Sequence, residues 1–114
     1  MNSVNLVGRL GQDPQIRQTT GGTPVASVSL AVPRGKETTW VKLVLWDKLA
    51  KLAENLRKGS RIAVSGELQV RQYDKDGEKR EVTEINVRNL DFLDPRDGNS
   101  KHYQGNNLDD DLPF

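Results

Sequence analysis

Alternation of apolar and polar residues restricts the fold of this chain more than any other feature of its sequence. An apolar residue at every second position is typical of a β-strand that buries one of its two faces. Five segments show this pattern, residues 4–10, 28–32, 38–46, 62–70 and 82–92. In the last segment the apolar positions change phase, which predicts a β-bulge near Thr83 and Asn89.

The segment after the third predicted strand has a different period. Its apolar residues recur at helical spacing from Leu49 to Leu56, so we predict a helix of about three turns, with Asp47 as N-cap and Gly59 as C-cap. Too few residues remain for helical crossovers between all strands. The sequence therefore predicts an all-β fold, a five-stranded antiparallel barrel with one helix between strands 3 and 4, which is the layout of the OB-fold.

Charge divides the chain into a basic body and an acidic end. Residues 1–93 carry 15 Lys+Arg and 11 Asp+Glu, a net charge of +4, whereas residues 94–114 carry 2 and 5, a net charge of −3. Residues 94–107 are rich in Gly, Asn and charge, so burial cannot repay the entropy of ordering them. We predict a binding domain at 1–93, a flexible linker at 94–107 and a disordered acidic tip at 108–114.

Composition argues against catalysis and metal binding. The chain has no Cys, and its one His, His102, lies in a polar stretch, which leaves no thiol nucleophile and few metal ligands. We expect no catalytic residue, no metal site and no cofactor. The sequence also lacks a secretion signal or an apolar stretch long enough to span a membrane, so we expect a cytoplasmic protein.

The third predicted strand carries two tryptophans on one face. Trp40, Lys42 and Trp46 are separated by even intervals and so project to the same side, whereas the opposite face is wholly aliphatic. Arg71 and Tyr73 share a face at the far end of the fourth strand. Aromatic rings that stack on any base, beside cations that contact phosphates, are typical of a single-strand groove. Alternatively, the tryptophans pack under a loop or at a subunit contact.

Other motifs are assigned structural or mixed roles. The basic residues at 57–61 either complement the C-terminal end of the helix or extend a phosphate-binding track. Residues 74–77 are typical of a hairpin turn, because their spacing does not match a calcium loop. Gly8, Gly11 and Gly66 interrupt strands, where we expect a bulge, a bend or a close approach of two backbones.

The end of the sequence is typical of a docking peptide. Three consecutive aspartates are followed by Leu112, Pro113 and Phe114. An apolar pocket rimmed by Arg or Lys would accept the Phe114 ring and its α-carboxylate, while the aspartates would steer the encounter. Alternatively, this segment is an acidic tail without a partner.

Several segments together resemble the bacterial single-stranded DNA-binding protein family (SSB), in a form with a short linker. They are residues 4–14, 40–46, 48–50, 56–60 and 109–114. The resemblance implies an OB-fold that assembles as a homotetramer and coats single-stranded DNA during replication, recombination and repair. It also implies a nucleoid-associated protein that recruits other genome-maintenance proteins through its tip.

The resemblance also implies roles for individual residues. Base stacking would fall to Trp40, Trp46 and Tyr73. The basic positions along the DNA path would be Lys42, Lys48, Lys58 and Arg71. Partner docking would fall to Asp109, Asp110, Asp111, Leu112, Pro113 and Phe114.

Two departures from the family pattern leave alternatives open. The link at 33–38 is short and lacks an aromatic residue that better-known members carry in a longer loop, and the linker before the tip is also short. A second interpretation is an OB-fold interaction adaptor of the replication-restart type with weak nucleic-acid binding. A third, an RNA-binding or tRNA-binding module, explains the groove but not the tip.

Overall fold

A computed structural model describes residues 1–94; the predicted linker from residue 95 onward and the tip at 108–114 lie outside the described residues. The chain forms mostly strands, with one short helix between the third and fourth predicted strands. The elements are β1 (Val4–Leu10), β2 (Gln15–Gln18), β3 (Pro24–Arg34), β4 (Glu37–Trp46), α1 (Lys48–Leu52), a 3₁₀ turn (Ala53–Asn55), β5 (Arg61–Lys75) and β6 (Glu78–Phe92). The predicted all-β class is confirmed.

Strand β1 closes the sheet into a ring of five strands. It pairs along its length with β5, and its last residues also pair with β3, where Arg9 lies opposite Ala31 and Leu10 opposite Leu30. The ring runs β1, β5, β6, β4, β3 and back to β1. All its pairings are antiparallel except β4 with β6, because the antiparallel β5–β6 hairpin returns β6 in the direction of β4.

The sixth strand, β2, is a finding that the alternation pattern does not predict. It has four residues, all exposed, and Ile16 is its only apolar side chain. It pairs with the first residues of β3, from Gln15 opposite Ser27 to Gln18 opposite Pro24. The turn between the two strands contains Gly21 and Gly22, a hairpin signal that was available in the sequence.

The core is aliphatic and lies inside the ring. Leu43 and Leu45 of β4 are buried to 1% and 0% exposure, which confirms the core face predicted for this strand. The largest fully buried side chains are Leu30, Leu43, Leu45, Leu56 and Ile62. The helical segment covers the ring through Ala50, Ala53 and Leu56, whereas Leu52 remains 39% exposed.

The helix prediction is wrong in its length and at both caps. Only five α-helical residues and one 3₁₀ turn form. Asp47 has a left-handed backbone (φ 55°) and makes no side-chain cap hydrogen bond, because it lies in a bend where its N–H donates to the Pro24 carbonyl. Gly59 does have a positive φ, but the 3₁₀ turn ends at Asn55, and Gly59 belongs to the following turn, where its N–H donates to the Leu10 carbonyl.

The bulge lies beside Asn89, and the register is continuous at Thr83. Ser65 pairs with Asn89 and Gly66 with Val87, so Arg88 is the extra residue. The core side of β6 passes here from Ile85 and Val87 to Leu90 and Phe92. Val82 needs no bulge of its own, because it lies half-buried on the opposite face of the strand.

Two strand glycines permit close backbone approach, as predicted. A Cβ at Gly66 would overlap the carbonyl of Asn86, and a Cβ at Gly8 would overlap the carbonyl of Ala31 where β1 meets β3. The predicted hairpin turn is also present, since Asp76 and Gly77 both have positive φ and Lys75 pairs with Glu78. Two central residues of this kind define a type I′ turn.

We expect Gly66→Ala to lower the free energy of unfolding by about 1–3 kcal/mol, because the added methyl group meets backbone that cannot move aside. Thermal unfolding followed by circular dichroism measures this. Gly21→Ala is the matched control, since a Cβ there meets nothing within 4 Å. Equal melting temperatures for the two variants would contradict the packing argument.

Candidate nucleic-acid interface

One face of the sheet carries a groove of about 500 Å³. Paired residues of neighbouring strands project to the same side, so Lys42 lies beside Ser29 on β3, and Arg71 of β5 lies beside Val82 of β6. The residues that line the groove are Gln12, Asp13, Gln15, Arg17, Ser27, Val28, Ser29, Lys42, Leu43, Arg71, Tyr73, Val82 and Glu84. Three of the predicted site residues, Lys42, Arg71 and Tyr73, therefore meet in one groove.

The two tryptophans project from the same face of β4 as Lys42. Trp40 is 63% exposed and Trp46 42% exposed, at positions on either side of Lys42. Tyr73 is 39% exposed. Neither tryptophan lines the groove, but both lie on the face of β4 that carries Lys42. Large aromatic side chains are usually at least partly covered, so these three exposed rings on one face of the sheet form a surface available to a planar ligand.

Gly11 leaves room for Trp40. A Cβ at this position would overlap the six-membered part of the Trp40 indole, so the outer edge of the ring lies close to Gly11. Gly11 lies in the bend that follows β1, and its close approach is to a side chain and not to a second backbone. A side chain larger than that of glycine at position 11 would therefore displace the Trp40 ring.

Cations of the groove differ in how they are held. Within residues 1–94, neither Lys42 nor Arg17 makes a side-chain hydrogen bond or ion pair. By contrast, Nε of Arg71 donates to Oε1 of Glu84 at 2.9 Å, and its Cζ lies 5.9 Å from the centroid of the Tyr73 ring. The hydrogen bond and the charge of Glu84 raise the pKa of Arg71 above its ordinary value.

Lys48 and Lys58 lie outside the groove lining. Lys48 opens α1, two residues after Trp46. Lys58 is exposed, and its backbone N–H donates to Oδ1 of Asp13 at 2.7 Å, which joins its turn to the edge of the groove. Neighbouring Arg57 instead donates to the carbonyls of Glu54 and Leu56, as expected for a cation that complements a helix end.

Several groove residues escape prediction from the sequence pattern. Gln15 and Arg17 belong to β2, Ser27 and Ser29 are small polar residues of β3, and Glu84 is a buried carboxylate between Thr83 and Ile85 of β6. For β2 the glycine turn was an available signal. The sequence carries no comparable signal for Glu84, because its contacts depend on the pairing register of β5 and β6.

Within the described part of the chain, no group of three or more His, Asp or Glu residues is arranged to hold a metal ion. No helix among residues 1–94 has the length and apolar character needed to cross a membrane.

Comparison with known proteins agrees with this architecture. The model of the single-strand binding protein family matches residues 1–93. The chain is 42% identical over 107 residues to a single-stranded DNA-binding protein of Bacillus cereus, covering 86% of this chain and 63% of that protein. It is 41% identical over 117 residues to single-stranded DNA-binding protein 2 of Listeria innocua, covering 91% and 74%.

A third relative extends this similarity. Single-stranded DNA-binding protein 2 of Chlorobaculum tepidum is 39% identical over 123 residues, which cover 97% of this chain and 83% of that protein. These names describe binding and not catalysis, in agreement with the prediction that this chain is not an enzyme.

The aligned region spans less than two thirds of the Bacillus cereus protein. The matched 1–93 segment nevertheless includes the whole ring and the groove. On the family match and these identities, the chain belongs to the single-strand binding protein family.

Proposed function

We propose that this chain binds single-stranded DNA without sequence preference and protects it. The observation that carries the proposal is the presence of three exposed rings on the face of the sheet that holds the groove, where Lys42 and Arg17 have no side-chain partner within residues 1–94. Bases would stack on Trp40, Trp46 and Tyr73, and any base offers a face for this. Lys42 and Arg71, with the newly found Arg17, would neutralise phosphates inside the groove, and Lys48 and Lys58 would do so beyond it.

Single strands are preferred over duplex in this mechanism because of what stacking requires. The bases of a duplex are already stacked on each other, so their faces are not available to the exposed rings. The affinity for a single strand should fall as salt rises, because each phosphate that a cation neutralises releases a condensed counterion.

The cellular role follows the same proposal. The relatives named above are single-stranded DNA-binding proteins, which supports a role in coating DNA exposed during replication, recombination and repair. We propose a homotetramer in the cytoplasm, associated with the nucleoid. The segment Asp109–Asp110–Asp111–Leu112–Pro113–Phe114, which lies outside the described residues, would recruit partner proteins through its apolar end and acidic run.

We expect Trp40→Ala and Trp46→Ala each to weaken binding of oligo-dT by about 1–3 kcal/mol, because each removes one stacking surface. Fluorescence anisotropy of labelled dT measures the affinity, and each variant keeps one tryptophan whose quenching reports on the other site. Leu52→Ala, which trims an exposed side chain of α1, is the matched control.

Unchanged affinity in both tryptophan variants would contradict stacking. If the intact protein had no affinity for dT at any salt concentration, the interaction adaptor would become the better interpretation of the tryptophan face.

We expect Lys42→Ala to make the plot of log affinity against log salt shallower by about 0.7, the value for one phosphate contact on a single strand. The titration is repeated from low to moderate salt on the same oligo-dT. Lys51→Ala removes an equal charge from the exposed side of α1 and should leave the slope unchanged. A slope that changes equally in both variants would mean that net charge acts without a local contact.

Deletion of residues 112–114 should abolish partner capture and leave the affinity for dT intact, because it removes none of the residues proposed to bind DNA. The assay compares proteins retained from a cell extract by the full chain, the deletion variant and a variant with residues 108–114 in scrambled order. Equal capture by all three would contradict a docking role for this segment.

A further inference from the structure

A buried carboxylate lies in the groove that we propose for a polyanion. Glu84 is only 4% exposed, yet it lines the groove together with Lys42 and Arg71. A negative charge at this position opposes phosphate binding by simple electrostatics. Burial also costs free energy unless the charge is paired. Glu84 must therefore make an interaction that offsets both the repulsion and the cost of burial.

The contacts of Glu84 connect two strands. Its Oε1 accepts a hydrogen bond from Nε of Arg71 at 2.9 Å and another from Nε2 of Gln69 at 3.2 Å. Gln69 is its direct partner across the β5–β6 pair, and Arg71 is the next residue on the same face. The register of the hairpin therefore holds the carboxylate beneath the guanidinium.

These contacts determine which edge of Arg71 remains available. Nε is used by Glu84, the guanidinium lies near the Tyr73 ring, and the Arg71 side chain stays 53% exposed. Within residues 1–94, its two Nη groups have no protein acceptor. A pair of Nη groups presents parallel N–H donors, a geometry that matches two oxygens of one phosphate.

We propose that Glu84 is a positioning residue, which holds the guanidinium of Arg71 beside Tyr73 so that its Nη edge faces a phosphate of the bound strand. This inference rests on the proposed single-strand binding. Arg71 is then ordered before DNA arrives, so little further side-chain entropy is lost when the strand binds.

The sign of one substitution separates positioning from plain electrostatics. Glu84→Gln keeps the shape of the side chain and removes its negative charge from the groove. If charge alone mattered, binding of dT would become tighter. If Glu84 positions Arg71, binding weakens although a repulsive charge has been removed, because a neutral acceptor holds the guanidinium less strongly.

The first experiment measures dT affinity for the full chain and for Glu84→Gln across a range of salt concentrations. We expect Glu84→Gln to weaken binding about fivefold and to make the salt dependence shallower by about 0.7, as one phosphate contact is lost. The matched control is Glu67→Gln, which neutralises a carboxylate paired with Arg88 on the same two strands but outside the groove lining. It should change affinity less than twofold.

A second pair of variants tests whether the effect passes through Arg71. Arg71→Lys keeps the positive charge but loses the planar fork, so we expect a loss of about fivefold. The double variant should bind about as weakly as the weaker single variant, because both changes remove one contact. Full multiplication of the two losses, or wild-type affinity for Arg71→Lys, would overturn the proposal.

An NMR measurement tests positioning in the free protein. The Nε–H signal of Arg71 should exchange slowly with water in the wild type and rapidly in Glu84→Gln. Rapid exchange in the wild type, or unchanged or tighter dT binding by Glu84→Gln, would overturn the inference while the proposed function stands. Thermal unfolding confirms that each variant is folded; if Glu84→Gln fails to fold, Arg71→Lys and the wild-type NMR signal decide. A wild type with no affinity for dT would overturn both proposals.

Discussion

Burial of an aliphatic interior inside the closed ring is the constraint on which the rest of the structure depends. Because Leu43 and Leu45 must face that interior, their neighbours Lys42 and Trp46 must project to the other side of β4. In β6, Ile85 faces the same interior, so its neighbour Glu84 projects to the other side of the strand. The groove is thus the outer side of the strands that form the core, and the positions from which its side chains project are fixed by the packing behind them.

The sequence predicts the features that follow from the two-residue period alone, such as the all-β class and the shared face of Trp40, Lys42 and Trp46. It does not predict features that depend on contacts between distant segments. β2 carries one apolar residue and is held by pairing with β3, and the short helix reflects a bend at Asp47 fixed by Pro24. The contact of Glu84 with Arg71 requires the hairpin register, which alternation does not specify.

The cations around the groove fall into two physical classes. Lys42 and Arg17 have no side-chain partner among the described residues, so they would lose rotamer entropy when a phosphate binds and orders them. Arg71 is held by Glu84 and Tyr73, so most of its rotamer entropy is lost during folding and not on binding. The groove therefore combines fixed contacts with adaptable ones, a combination suited to a flexible polymer of variable sequence.

The two-residue turn at Asp76 and Gly77 also limits how this hairpin can vary in length. Antiparallel partners alternate between hydrogen-bonded and non-hydrogen-bonded pairs, and a type I′ turn must close on the same kind of pair each time. Insertions or deletions that preserve the turn must therefore add or remove two residues on each strand, moving its tip by about 7 Å per step. Homologous chains that retain this turn should accordingly differ in hairpin length by multiples of four residues, with the barrel unchanged beneath them.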